Sequence, residues 1–303
     1  MNTVAAASPS RDLAVDFRKK FVPEELTPLF YVPWYRWLAA DQRLRYNQLQ
    51  SLYLNEQILF FETMVGRGVM DALLRRPWPD GFGEELQQFW DEERRHSEMF
   101  RQLNQRCAPR LYATGDFHFV QAPRRWLAAL DWAAHRTAVF PLFLWLMLLQ
   151  EERSLFYSKE FLRQEDGIEA HFVETHRRHL ADEVGHVRWD EQLLDLLWPH
   201  ANWALRKVNA GLLSWMVAEF FSAPKRGQWR VVQELAREFP ELREHLPELR
   251  EQLLALREDE SYQLSLYSRE ITPRSFARFD RLPEFRVMQR AIPGYRLPAK
   301  EAL

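Results

Sequence analysis

The sequence predicts an all-α protein, a four-helix bundle with extra C-terminal helices. Long stretches alternate apolar and charged residues at helical spacing, only 10 of the 303 residues are glycine, and two separate segments repeat one arrangement of Glu and His. With 47% hydrophobic and 28% charged side chains, the chain can form one large domain with a substantial core.

Proline and glycine punctuate the elements. Residues 1–40 read as a tail and lead-in: Met1 to Ser10 is small and polar, without the charged leader and apolar core of a secretory signal, and Pro23, Pro28 and Pro33 follow. The bundle is expected over 41–200. Its first helix starts near Asp41, a candidate N-cap, and runs to about Arg76, before Pro77 and Pro79. A second runs from about Gly83 to Cys107. Helical sequence resumes near Pro123, with a bend or break at Pro141, and a fourth helix follows the loop Gln164 to Gly167 and reaches Leu197. Residues 201–303 are expected to belong to the same domain. Ala201 to Phe221 reads as an apolar helix, Gln228 to Glu270 as shorter helices broken by Pro240 and Pro247, and the tail with Pro273, Pro283, Pro293 and Pro298 as an irregular wrapping segment.

Composition narrows the functional classes. A formal net charge of -2 gives no broad basic surface for nucleic acid. The most apolar run, Phe140 to Leu149, is interrupted by Pro141 and falls well short of the roughly 20 residues that cross a bilayer, so no membrane partner is expected. A single cysteine, Cys107, excludes an intramolecular disulfide and fits a cytoplasmic location.

The chemistry lies in the repeat. Glu62 is followed 31 positions on by Glu93, with His96; Glu152 is followed 31 positions on by Glu183, with His186. Residues three apart on a helix share a face about 4.5 Å apart along the axis, so a Glu oxygen and a His nitrogen can reach one metal ion. Two helices giving a Glu each and two giving a Glu-x-x-His each form the ligand pattern of a carboxylate-bridged di-metal site. Two positions have rivals: Glu56 shares the first helix with Glu62, and Glu151 adjoins Glu152. The matched interval favours Glu62 and Glu152. On the fourth helix His176, His179 and Asp190 share the face of Glu183 and His186, and His179, one turn from Glu183, is the credible extra ligand. His176 and Asp190 read as supporting or surface groups.

The run His179, Glu183, His186, with Glu62, Glu93, His96 and Glu152, resembles the p-aminobenzoate N-oxygenase (AurF-like) di-iron proteins, as does Tyr46 to Glu62 (YNQLQSLYLNEQILFFE). Those proteins carry twice a Glu, a gap and an acidic-Glu-x-x-His box, with a third histidine before the second box. Glu92 and Asp182 fill the acidic positions, Glu92 where the family usually has Asp. The resemblance covers about Asp41 to Leu197 and implies a ferritin-like bundle holding two Fe ions, with manganese able to replace one. It further implies O2 as co-substrate and a small-molecule amine, free or carrier-bound, oxidised at nitrogen to a hydroxylamine and on to nitroso or nitro products. Glu92 and Asp182 would then orient the histidines.

The sequence offers no Gly-x-Gly-x-x-Gly fingerprint and no cysteine set for an iron-sulfur cluster, so electrons are expected from an external donor, a separate reductase. A homodimer is left open. Against a radical-generating subunit of the same superfamily stands Phe100, where a radical tyrosine would follow the first histidine by one turn. An iron store would not need the long C-terminal third. A hydroxylase or desaturase acting on carbon is the main competing reading.

Overall fold

Before the first helix begins, buried side chains already anchor the lead-in. Asn47 accepts the N–H groups of Phe21 and Val22 at 2.8 and 3.2 Å and donates to the Val22 carbonyl at 2.7 Å, satisfying backbone that would otherwise be buried unpaired. Two of the three short 3-10 turns here, Pro28–Tyr31 and Pro33–Trp37, start on proline, where no N–H is needed. The computed structural model describes residues 14–79, 81–222 and 225–295; the expectations for Met1 to Ser10 and Pro298 lie outside them.

Helix α1 (Ala40–Phe60) begins one residue before Asp41, which falls inside the first turn rather than at the cap; the Ala39 N–H instead donates to the Gln42 side chain at 2.9 Å. At Phe61–Gly66 the helix widens into π geometry and resumes as α2 (Arg67–Leu73). A π turn admits an extra residue without breaking the rod. The first bundle helix is therefore continuous, with its register shifted at the segment carrying Glu62.

Helix α3 (Phe82–Cys107) follows Gly81, whose φ of 85° lies in the left-handed region that favours glycine. The expected third unit is two helices, α4 (Arg124–Ala134) and α5 (Leu142–Arg163), with Pro141 at the start of α5. Helix α6 (Ala170–Leu197) is capped by Glu169, which accepts the N–H groups of His171 and Phe172 at 2.8 and 3.4 Å. Helix α1 packs on α3, α3 on α6 and α6 on α5, closing the four-helix core. Leu142 through Leu149 are all buried there. No described helix is long and apolar enough to cross a membrane.

The remaining helices are α7 (Trp203–Met216), extended by a second π segment Val217–Phe221, then α8 (Arg226–Glu238), α9 (Leu246–Ala255), α10 (Glu260–Leu266), α11 (Pro273–Arg281) and α12 (Met288–Ala291). Helix α8 lies on α1, and α7 and α11 lie on α5. The tail expected to be irregular is largely helical. Pro273 sits in the first turn of α11 and Pro283 opens a 3-10 turn, positions where proline starts a helix rather than stopping one. Phe276 and Phe279 of α11 join Phe285, Tyr295 and Trp145 of α5 in a buried ring cluster.

Candidate metal centre

Four elements aim acidic and imidazole groups into one buried space: Glu62 from the first π segment, Glu93 and His96 from α3, Glu151 from α5, and His179, Glu183 and His186 from α6. Ligand atoms of Glu93, His96, Glu183 and His186 lie within 4.8 Å of one another, and so do those of Glu62, His96 and His179, so His96 is common to both groups. Across the helices, His186 Nδ1 is 2.7 Å from Glu93 Oε1 and His96 Nδ1 is 3.5 Å from Glu183 Oε1. His179 Nε2 is 2.6 Å from Glu183 Oε1 and 4.0 Å from Glu62 Oε1. Ser97, one residue beyond His96, donates its hydroxyl to Glu62.

The outer nitrogens of the two box histidines are engaged in a crossed pattern. His186 Nε2 lies 3.1 Å from Glu92 on α3, and His96 Nε2 lies 3.1 Å from Asp182 on α6. A carboxylate there holds a proton on Nε2, which makes Nδ1 the atom that would coordinate a metal. Each acid thus serves the histidine of the neighbouring helix.

This interior calls for positive charge. His96 Nδ1 is buried with no hydrogen-bond partner in the protein, and His186 Nδ1 and Glu93 Oε1, 2.7 Å apart, face only each other, a costly condition for buried polar atoms. Burial, reinforced by Glu93, pushes the Glu62 carboxyl well above its usual range; burial and Glu183 do the same to Glu151. Burial disfavours a charged His186, yet Glu183 and Glu93 outweigh it and push that imidazole up to about 12. Carboxylates and imidazoles in this number fit divalent iron, which takes oxygen and borderline nitrogen donors together. The residues that could hold it are Glu62, Glu93, His96, Glu151, His179, Glu183 and His186.

The assignment of Glu152 is corrected by the structure. Its carboxylate turns away from the cluster and accepts the N–H groups of Arg274 and Ser275 at 2.6 and 2.8 Å, satisfying the first turn of α11. Glu151, its neighbour, faces the cluster, in hydrogen-bonding contact with Glu183. Glu56, the rival of Glu62, is likewise committed elsewhere. It accepts from Tyr112 Oη at 2.8 Å and from the N–H groups of His118, Phe119 and Val120 at 2.9, 2.9 and 2.6 Å, fixing the loop before α4.

His176 is a buried wall residue, its ring stacked on Phe161 at 3.6 Å and its Nδ1 3.1 Å from Ser158 Oγ. Asp190 is buried too, with neither carboxylate oxygen hydrogen-bonded, and burial pushes its carboxyl well above the usual range. Phe100 packs against the rings of His176 and His179 at 5.6 and 5.1 Å. Two contributors carry no sequence signal: Ser97, and Arg153, whose Nη2 donates to Tyr157 Oη at 3.0 Å and Nη1 to Tyr267 Oη at 3.3 Å. Arg153 lines a cavity whose wall includes Glu62, Glu151, His179 and Glu183.

Neither a curated protein nor a solved structure matches the chain. The family model described as p-aminobenzoate N-oxygenase AurF matches residues 7–255, taking in every residue of this cluster, and the chain belongs to that oxygenase family.

Proposed function

We propose that the chain is a non-haem di-iron oxygenase that uses O2 to oxidise the nitrogen of a small-molecule amine. The observation that carries this reading is the pair of buried ligand groups sharing His96, with outer nitrogens fixed by Glu92 and Asp182. The seven residues from Glu62 to His186 named above would hold the metal; two bound irons would supply the electrons and open coordination sites that O2 chemistry requires.

The chain's own residues determine what reaches that site. Glu92 and Asp182 hold protons on the outer nitrogens of His186 and His96, so the Nδ1 atoms are the ones that would give up any inner proton and become ligands of a bound metal. Ser97 holds Glu62 in place. The cavity beside Glu62 and Glu151 is also lined by Leu54, Ile58, Phe61 and Phe221, apolar surface on which the body of a substrate would pack beside the carboxylates. Electrons come from a separate donor.

The test is a single turnover: reduced, iron-loaded protein is mixed with O2 and a panel of aryl and alkyl amines, and the products are weighed by mass spectrometry. The expected outcome is an amine-dependent product heavier by one oxygen or more, with the label from 18O2 on nitrogen. Label on carbon would establish the competing hydroxylase reading instead. Consumption of O2 with every amine recovered unchanged would overturn both.

A further inference from the structure

A second, larger space adjoins the cavity beside the metal cluster. It lies between α4, α7 and the start of α8, and it shares Gln57, Phe61 and Phe221 with the first. Phe61 and Phe221 therefore stand between the two spaces and border both. Each belongs to a π segment: Phe61 opens the first, directly before Glu62, and Phe221 closes the second. Geometry that departs from the α-helix in both segments places the two rings where regular helices would not.

The larger chamber is apolar and only half closed. Phe60, Val65, Leu127, Leu130, Leu146 and Met216 form much of its wall. Trp126, Trp215 and Phe220 cluster along it with ring centroids 5.2 to 6.0 Å apart, yet remain 39%, 49% and 42% exposed. Helix α4 contributes Trp126, Leu127 and Leu130 to this wall, and Ala134 is its one buried residue. Contiguous aromatic surface left open to water is the usual mark of a binding site. Of its charged groups, Lys225 pairs with Glu219, Arg230 donates to the Phe119 carbonyl at 2.7 Å and keeps its charge, and Arg226 stands exposed to water.

We propose that the substrate of this oxygenase is an elongated amine with an apolar body, an arylalkyl or long-chain amine. The body lies in the outer chamber and the nitrogen end passes between Phe61 and Phe221 to the metal cluster. The inference rests on the amine-oxidation reading and adds the shape and polarity of the substrate. A substrate confined to the inner cavity would leave the aromatic chamber, which borders that cavity at Phe61 and Phe221, without a role.

Binding is measured by calorimetry on the iron-loaded protein without O2, with n-alkylamines from butylamine to decylamine. Burying each added methylene in the chamber is expected to tighten binding about two- to fourfold. Leu127→Asp and Leu130→Asp, made separately on the half-exposed α4, are each expected to bring the affinity of decylamine down toward that of butylamine. Affinity independent of chain length would overturn the proposal, as would length dependence retained in both variants, which would mark general apolar partitioning. Because no turnover is involved, these outcomes stand apart from the reaction: length-dependent binding without oxygenated product would sink the oxygenase reading alone, and oxidation of short amines with flat binding would sink this inference alone.

Discussion

His186 of α6 directs its Nε2 at Glu92 of α3, 3.1 Å away, rather than at an acid of its own helix. With the reciprocal pairing of His96 and Asp182 at 3.1 Å, the two box helices are cross-tied outside the metal-facing atoms. Glu92→Gln or Asp182→Asn should therefore leave the helical content unchanged while weakening metal binding by about 10- to 100-fold, the usual cost of removing such a partner. A competition titration against a chelator measures it; unchanged affinity in both variants would sink the orienting role.

Adjacent carboxylates on α5 should behave in opposite ways. Glu151→Ala is expected to lower the metal content below two per chain, since Glu151 is in contact with Glu183 at the cluster. Glu152→Ala should retain two metals but unfold at lower urea concentration, by about 1–3 kcal/mol, because the N–H groups of Arg274 and Ser275 lose their acceptor. The reverse pattern would restore Glu152 to the ligand set.

A similar separation is expected on the first helix. Glu56→Ala strips the acceptor from three consecutive loop N–H groups and from Tyr112. The loss should amount to about 1–3 kcal/mol for a group left unsatisfied, with the several losses less than additive. Metal stoichiometry should stay at two, whereas Glu62→Ala should reduce it.

His179→Phe should preserve the fold, since its ring already packs on Phe100 at 5.1 Å. Its Nε2, 2.6 Å from Glu183, would be lost. The electronic spectrum of the oxidised iron-loaded protein should change and amine oxidation should fall; an unchanged spectrum and rate would reduce His179 to a core residue.

Removal of metal should destabilise the whole bundle, because the buried ligand atoms of Glu93, Glu183, His96 and His186 are held within 4.8 Å of one another there. At free metal a hundred times its dissociation constant, linkage gives about 2.7 kcal/mol. Denaturant titrations with and without chelator read this directly, and coincident curves would show that the folded chain holds no metal.

The legible part of this protein is the part governed by local geometry. The i, i+3 spacing put Glu93 with His96 and Glu183 with His186 on common faces, and the structure brings all four within 4.8 Å. The choice between Glu151 and Glu152 was not local. It depends on where Arg274 and Ser275 come to rest, more than a hundred residues later, and an identical 31-residue interval could not reveal a helix terminus that needed an acid. Pro273 concealed that terminus, since a proline in a polar tail reads as a breaker, whereas on the surface of α5 it begins α11. The π segments were invisible for another reason: residues 61–66 have ordinary helical composition, and the wider turn is set by tertiary packing.

The π turn at Phe61–Gly66 also gives the first helix one place where the length of the gene can change. One extra residue is absorbed there, so loss of a single codon within the segment can return the rod to plain α geometry without turning one half against the other, whereas the same loss elsewhere in the rod would rotate its halves by about 100°. Glu56, tied to its loop upstream, and Val69 and Met70, buried downstream, keep their places in the first case and not in the second. In descendants of this chain, single-residue deletions in the first helix should therefore collect at the segment beside Glu62 and be rare outside it.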